Sequence, residues 1–338
     1  YAMVKAREAL YYLNVLRVLE KAKETVSEAE NILGRKTDYS DKSLWLDTYL
    51  TLLVVKVDIA LFRKDYCTAE EVLREYEKLV KEHEESIVGE WGLGAYYGKL
   101  ATLENRLSKL CLLRGVFEKA REHSLNTLRY CLVSRDLSKA AGSIVNWAKV
   151  DFALAKSIEE YESILEKNVT VVDIDGVKVS LSMNECEEIF EATLNLEGLT
   201  RFKRLKARVY MALSKLNDAQ REIEEVLKIL EKTPNILAYA GTLLYLVYIK
   251  ILEGVSGELI VDESKLVEAI DPVLKAHRIL EELDVISRSI SAILMSIQVY
   301  LFNEIDLNTL IGDIEDWIKW LNKQESHNRA KVLEFIKN

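Results

Sequence analysis

The chain is poor in the residues that interrupt helices or build reaction centres. Of its 338 residues only two are proline, Pro234 and Pro272, and thirteen are glycine. Proline inside a helix removes a donor and clashes with the preceding turn, so this scarcity favours long helices. The four cysteines, Cys67, Cys111, Cys131 and Cys186, stand alone, without a CxxC or a Cys/His cluster at zinc spacing. Three fall on apolar helical faces, where cysteine behaves as a small hydrophobe, and a reducing cytoplasm is the expected compartment. The sequence has no GxxxxGK[ST] phosphate loop, no HExxH and no GxSxG elbow, and its four histidines are scattered. Accordingly no enzyme, no metal and no cofactor is expected. Glutamine is also rare, at Gln220, Gln298 and Gln324 only, against abundant Glu and Lys. That skew is typical of heat-adapted proteins, which favour ion-pair networks and avoid labile amides.

Long hydrophobic runs are missing too. Ile236–Ile249 and Ser289–Asn303 fall short of the roughly 18 to 20 residues that a membrane span requires, and Lys250 and Arg288 bound them. Both read as buried helices, and no membrane partner is expected. Met3 reads as the native start, with no cleavable signal before it. The net charge of −9 argues against general nucleic-acid binding, because a protein that neutralises phosphates is usually basic. At 49% hydrophobic content the chain has ample apolar surface for a core.

What is present is a recurring unit: a long apolar helix, a tight turn, then a second helix with an alanine near its start. It reads Ala60-Leu-Phe-Arg-Lys-Asp-Tyr66-Cys-Thr-Ala69, then Cys111-Leu-Leu-Arg-Gly-Val-Phe117-Glu-Lys-Ala120, then Tyr210-Met-Ala-Leu-Ser-Lys-Leu216-Asn-Asp-Ala219. The small alanine lets one helix approach its neighbour closely, so that pairs can stack into a solenoid. Residues 3–33 read as one helix stopping at Gly34. Pairs follow at about 41–63 with 67–85, 88–114 with 116–133, and 136–156 with 158–167. Later pairs are expected at 199–214 with 216–232 and 234–253 with 263–283, with closing helices near 285–303, 308–322 and 325–336. Thr68 with Glu71, Ser157 with Glu160, Ser182 with Glu185 and Asn217 with Gln220 read as capping boxes.

One segment breaks the helical period. Val169 to Ser182 reads as two strands joined at Asp175-Gly176, a hairpin spanning about 168–182. Pairing Ile174 with Val177 places Thr170, Val172, Val179 and Leu181 on one face, with Asp173 opposite Lys178. That apolar face either docks on the protein's own helices or accepts a partner strand. Gly257–Asp262 reads as a third extended piece.

These helix pairs resemble tetratricopeptide (TPR) repeats, in which the second helix carries such an alanine with an aromatic three residues before it. Tyr66/Ala69 and Phe117/Ala120 match that pair, and in Leu216/Ala219 a leucine takes the place of the aromatic. The resemblance implies an all-α, right-handed α-solenoid of antiparallel helix hairpins with one inserted β-hairpin. The whole chain, 1–338, is expected to form it as a single unit. It also implies that the first helix of each pair lines a concave groove. Carried over from Ala120, the groove positions include Asn105, Arg106 and Lys109; from Ala219 they include Arg201, Arg204 and Arg208. Asn146, on the long helix between, joins this set.

Independently of any family, Arg201, Arg204 and Arg208 share one helical face by their spacing. Guanidiniums in a row can hold carboxylates or phosphates bidentately. A solvated face that pairs with Glu-rich neighbours is the competing explanation. The expected function is therefore a protein-binding scaffold taking an acidic or C-terminal peptide. Two alternatives stand: a sensor module binding a small ligand or nucleotide, and nucleic-acid binding through the basic helix 201–208. Exposed tryptophans or an apolar terminal pair would favour a homodimer.

Overall fold

The computed structural model describes residues 1–13, 19–34, 42–172, 176, 178–233 and 235–255, with Glu268, Ala269, Pro272, Val273, Lys275, Ala276 and Ile279 beyond them. Helix dominates these residues, and the chain divides into two compact units, Tyr1–Leu213 and Ser214–Asn338. The expected helices beyond residue 283, and the extended piece at 257–262, lie outside the described residues.

Unit 1 begins with α1 (Ala2–Tyr11), α2 (Leu19–Gly34), α3 (Lys42–Arg63), α4 (Tyr66–Glu82) and α5 (Glu84–Trp91). It continues with α6 (Leu93–Leu113), α7 (Phe117–Ser134), α8 (Leu137–Leu154) and α9 (Ile158–Leu165). A two-stranded antiparallel sheet, β1 (Asn168–Val172) and β2 (Lys178–Ser182), precedes α10 (Met183–Ala192) and α11 (Leu196–Ala212). Neighbours in sequence pack as hairpins: α1 on α2, α3 on α4, α6 on α7 and α10 on α11. The hairpins are tied together by α3 against α1 and α2, α4 against α6, and α8 against α7, α10 and α11. This is the TPR-like all-α arrangement with one inserted β-hairpin.

The alanines behave as the repeat requires. Ala69 and Ala120 are fully buried at the starts of α4 and α7. Opposite Ala120, Ser108 of α6 is so close that its hydroxyl donates to the Ala120 carbonyl at 3.0 Å and lies 2.7 Å from the Ser124 hydroxyl. A larger residue at Ser108 would push the helices apart.

The turns share one geometry. Lys64, Gly115, Arg135, Leu194 and Ser214 all take positive φ, between 52° and 73°. In the first four, the next amide reaches back five residues: Asp65 to Ala60, Val116 to Cys111, Asp136 to Cys131 and Asn195 to Phe190, at 2.8–3.0 Å. This left-handed cap satisfies the last helical carbonyls. At three of these four turns the residue after it caps the next helix, Asp65 onto Thr68, Asp136 onto Lys139 and Asn195 onto Gly198.

Several expectations are corrected. Residues 3–33 do not form one helix, because α1 and α2 pack against each other and share a core with α3 through Ala6, Ala9, Ala22, Val26, Ala29, Leu52 and Val55. The 88–114 helix is interrupted at Gly92, whose φ of +83° separates α5 from α6. Ser182 and Glu185 do form a capping box. For α4 the cap is Asp65 rather than Thr68, and at α12 the N-cap Lys215 makes no side-chain cap bond.

The sheet register is shifted by one residue. Val172 pairs with Lys178, Val171 with Val179 and Val169 with Leu181, instead of Asp173 with Lys178. A slip of one turns a strand over. Val169 and Val171 are therefore buried and Val172 is exposed, with β1 resting on α7 and β2 on α10. The turn expected at Asp175-Gly176 falls on a segment that, Gly176 apart, lies outside the described residues.

In unit 2, α12 (Leu216–Glu231) packs on α13 (Ile236–Val255). Ala219 is fully buried there, and Ala240, Leu243, Val247 and Ile251 form a core with Ala269, Val273 and Ala276. Among the described residues, no helix is long and apolar enough to cross a membrane.

Candidate functional site

Three helices of unit 1 present polar residues to one another, and a short ladder of bonds sets their level. The Asn146 amide on α8 donates to Asn105 Oδ1 on α6 at 2.8 Å, and Arg201 on α11 donates to Asn146 Oδ1 at 2.9 Å. Asn146 is buried. A buried amide needs such partners, because leaving one unmade costs roughly 1–3 kcal/mol. At the start of the same helices, the Asn195 amide donates to Ser138 Oγ at 2.6 Å. Contacts therefore climb α8 and α11 in the same order, Ser138 to Asn195 and Asn146 to Arg201, so these two helices run parallel. Farther along, the Arg208 guanidinium lies 4.2 Å from the centre of the Phe152 ring, a cation–π contact.

Between these elements lies a cavity of about 320 Å³, bordered by Asn105, Arg106, Lys109, Ser138, Asn195, Glu197 and Arg201 among others. Gly198 and Phe190 close one wall: a Cβ on Gly198 would come within 2.4 Å of the Phe190 ring. Only glycine lets α11 sit this close to α10.

Charge is the distinctive property of the face. Arg106 is neutralised by Asp58 of α3 at 2.8 Å. Lys109 and Lys149, by contrast, have no hydrogen bond or ion pair among the described residues. Burial pushes the Lys109 ammonium down to about 8; Arg201 and Arg106 push the same way, while Asp58 and Glu197 oppose them. Lys149 is driven well below the usual lysine value, first by burial and then by Arg201, Lys109, Arg208 and Arg204. Lys109 of α6 and Arg201, Arg204 and Arg208 of α11 thus all bear on Lys149 of α8.

Of the expected residues, Asn105, Arg106, Lys109 and Arg201 border one cavity, and Asn146 bridges two of them. Arg204 and Arg208 extend the cationic row along α11. Lys149 supplies the strongest electrostatic signature, and its signal in the sequence is its place one turn after Asn146. The cavity rim at Asp136, Ser138, Asn195 and Glu197 was not legible, because these residues read as ordinary helix starts.

The basic stretch 201–208 is divided between two faces. Lys203 and Lys206 turn to Glu187 of α10, at 2.5 and 3.1 Å, while Arg201 and Arg208 turn to α8. The stretch is therefore not one continuous basic strip. Among the described residues, no group of His, Cys, Asp and Glu is placed to hold a metal ion.

No protein-family model matches the chain, and no curated protein matches it. Among solved structures, the chain is similar to the apo form of RapI, with a TM-score of 0.49 and 13% identity, covering 99% of this chain and 96% of that one. It is also similar to a Rap protein complexed with competence and sporulation factor, with a TM-score of 0.47 and 11% identity, covering the same shares of the two chains.

Proposed function

We propose that this protein is a non-catalytic scaffold that receives an acidic peptide, or the C-terminal carboxylate of one, on the face built by α6, α8 and α11. One observation carries the reading: a chain of net charge −9 gathers Lys109, Lys149, Arg201, Arg204 and Arg208 on facing helices. Like charges held together in a half-buried place raise the energy of the empty protein, and an anionic partner relieves them. Asn105, whose Oδ1 is taken by Asn146, keeps its amide N–H groups for a peptide backbone. Free cysteines at all four positions fit the reducing cytoplasm expected for such a scaffold.

Fluorescence anisotropy with labelled hexaglutamate, and with one neutral peptide ending in a free or an amidated carboxylate, tests the reading. Binding that weakens at least about tenfold in Arg201→Glu or Lys149→Glu, and falls with added salt, is expected. Equal affinity of the wild type and both variants for hexaglutamate, or no binding of any probe, overturns it.

The cavity supports a second reading, in which a small anionic metabolite is sensed at the same place. A metabolite that raises the melting temperature of the wild type but not of Lys109→Met would favour it.

A further inference from the structure

The chemistry of the bound anion can be narrowed further. The ladder Asn105–Asn146–Arg201 fixes α6, α8 and α11 at one level. One turn on from its asparagines stand Lys109, four residues after Asn105, and Lys149, three after Asn146. Arg201 uses one nitrogen on Asn146 and keeps its other donors.

Carboxylates near this group are already engaged. Asp58 holds Arg106 at 2.8 Å, and Asp136 caps α8 and holds Lys139 at 2.9 Å. Asp151, on α8 itself, is bound by Arg121 at 2.7 Å and by Lys167, while Glu187 holds Lys203 and Lys206. Glu197, beside the cavity, also bears on Lys109 and has no ion pair among the described residues. One carboxylate cannot balance this many cations. A ligand carboxylate brings a single charge on two coplanar oxygens, which suits one guanidinium fork. A phosphoryl group brings nearly two charges and three oxygens pointing in three directions. Donors arriving from three separate helices match the second shape.

We propose that Lys109, Lys149 and Arg201 form a subsite for a phosphoryl dianion, so that the preferred ligand is a phosphorylated peptide. The peptide carrier rests on the scaffold reading above; the anion does not.

Calorimetric titration of the full chain with inorganic phosphate, O-phosphoserine, acetate and N-acetylglutamate, at fixed ionic strength, tests the subsite. Phosphate and phosphoserine are expected to bind at least about tenfold tighter than either carboxylate. Lys149→Met is expected to lower phosphate affinity by a similar factor while raising the melting temperature of the unliganded protein, because it removes a crowded like charge. A cation that merely holds the fold would do the opposite. Lys109→Gln and Lys149→Gln repeat the measurement should the methionine variant fail to fold. Phosphate no tighter than acetate, with hexaglutamate still bound, overturns the phosphoryl assignment and leaves the scaffold standing. Phosphate bound and every peptide rejected keeps the subsite and removes the carrier. Phosphate affinity unchanged in the Lys109 and Lys149 variants overturns the subsite.

Discussion

Asn146 stands between Asn105 and Arg201, donating to one at 2.8 Å and accepting from the other at 2.9 Å. Its amide therefore ties α6, α8 and α11 together at the level where the cations gather. Asn146→Ala strands both partners and is expected to cost about 1–3 kcal/mol. Urea unfolding of Asn146→Ala, Asn105→Ala and the double variant measures this. A double variant hardly worse than Asn146→Ala alone is the expected sign of coupling.

The wall formed by Gly198 and Phe190 has no room for a methyl group. Gly198→Ala places a Cβ about where ring atoms now lie, 2.4 Å away, and forces Phe190 or α11 to move. Destabilisation of about 1–3 kcal/mol is expected from such overpacking. Phe190→Leu in the same background should recover part of it in thermal unfolding.

Left-handed turns are held by side-chain-bearing residues at Lys64, Arg135 and Leu194, where glycine would be unstrained. A β-carbon in this conformation costs roughly 1–2 kcal/mol, and glycine loses part of that gain through its freer unfolded chain. Each of Lys64→Gly, Arg135→Gly and Leu194→Gly is expected to be neutral or stabilising by up to about 1 kcal/mol. Gly115→Ala, at φ +73°, should destabilise.

The depressed lysines give stability a definite pH slope. In the unfolded chain Lys109 keeps its proton to about 10.5, whereas in the folded chain it releases it near 8. Across that window the unfolded state binds more protons, so the contribution of Lys109 to stability rises with pH; Lys149 acts in the same direction. Two tyrosines oppose this above about pH 10, since desolvation and then the Glu75 and Glu84 carboxylates push Tyr49 and Tyr96 up to about 12 and favour their neutral form. The urea midpoint of the wild type, relative to a Lys109→Met/Lys149→Met variant, should climb between pH 7.5 and 9.5. A constant difference would refute the assignment.

The parts of the fold that were readable from the sequence are those set by local pattern. Ala69, Ala120 and Ala219 sit where the helix pairs demand small residues, and the Ser182–Glu185 box is a contact between near neighbours in the chain. The break between α1 and α2 was hidden, because no glycine or proline lies between Tyr11 and Leu19 and the reversal is enforced by packing on α3. The hairpin was found, but its register was not. Both Val171 and Val172 are apolar, and only the burial of β1 on α7 decides which one faces inward. At the site, the spacing of Arg201, Arg204 and Arg208 was visible in one helix, whereas the meeting of Lys109 with Lys149 depends on helices forty residues apart in the sequence.

The thiols offer an experimental handle. Cys67 is exposed at the start of α4, whereas Cys131 and Cys186 are buried and held in the protonated form by burial, up to about 12. Cys111 is half-buried and shifted in the same direction. A maleimide dye offered briefly at neutral pH will therefore attach at Cys67 first, giving a reporter on the native chain without any engineered attachment point.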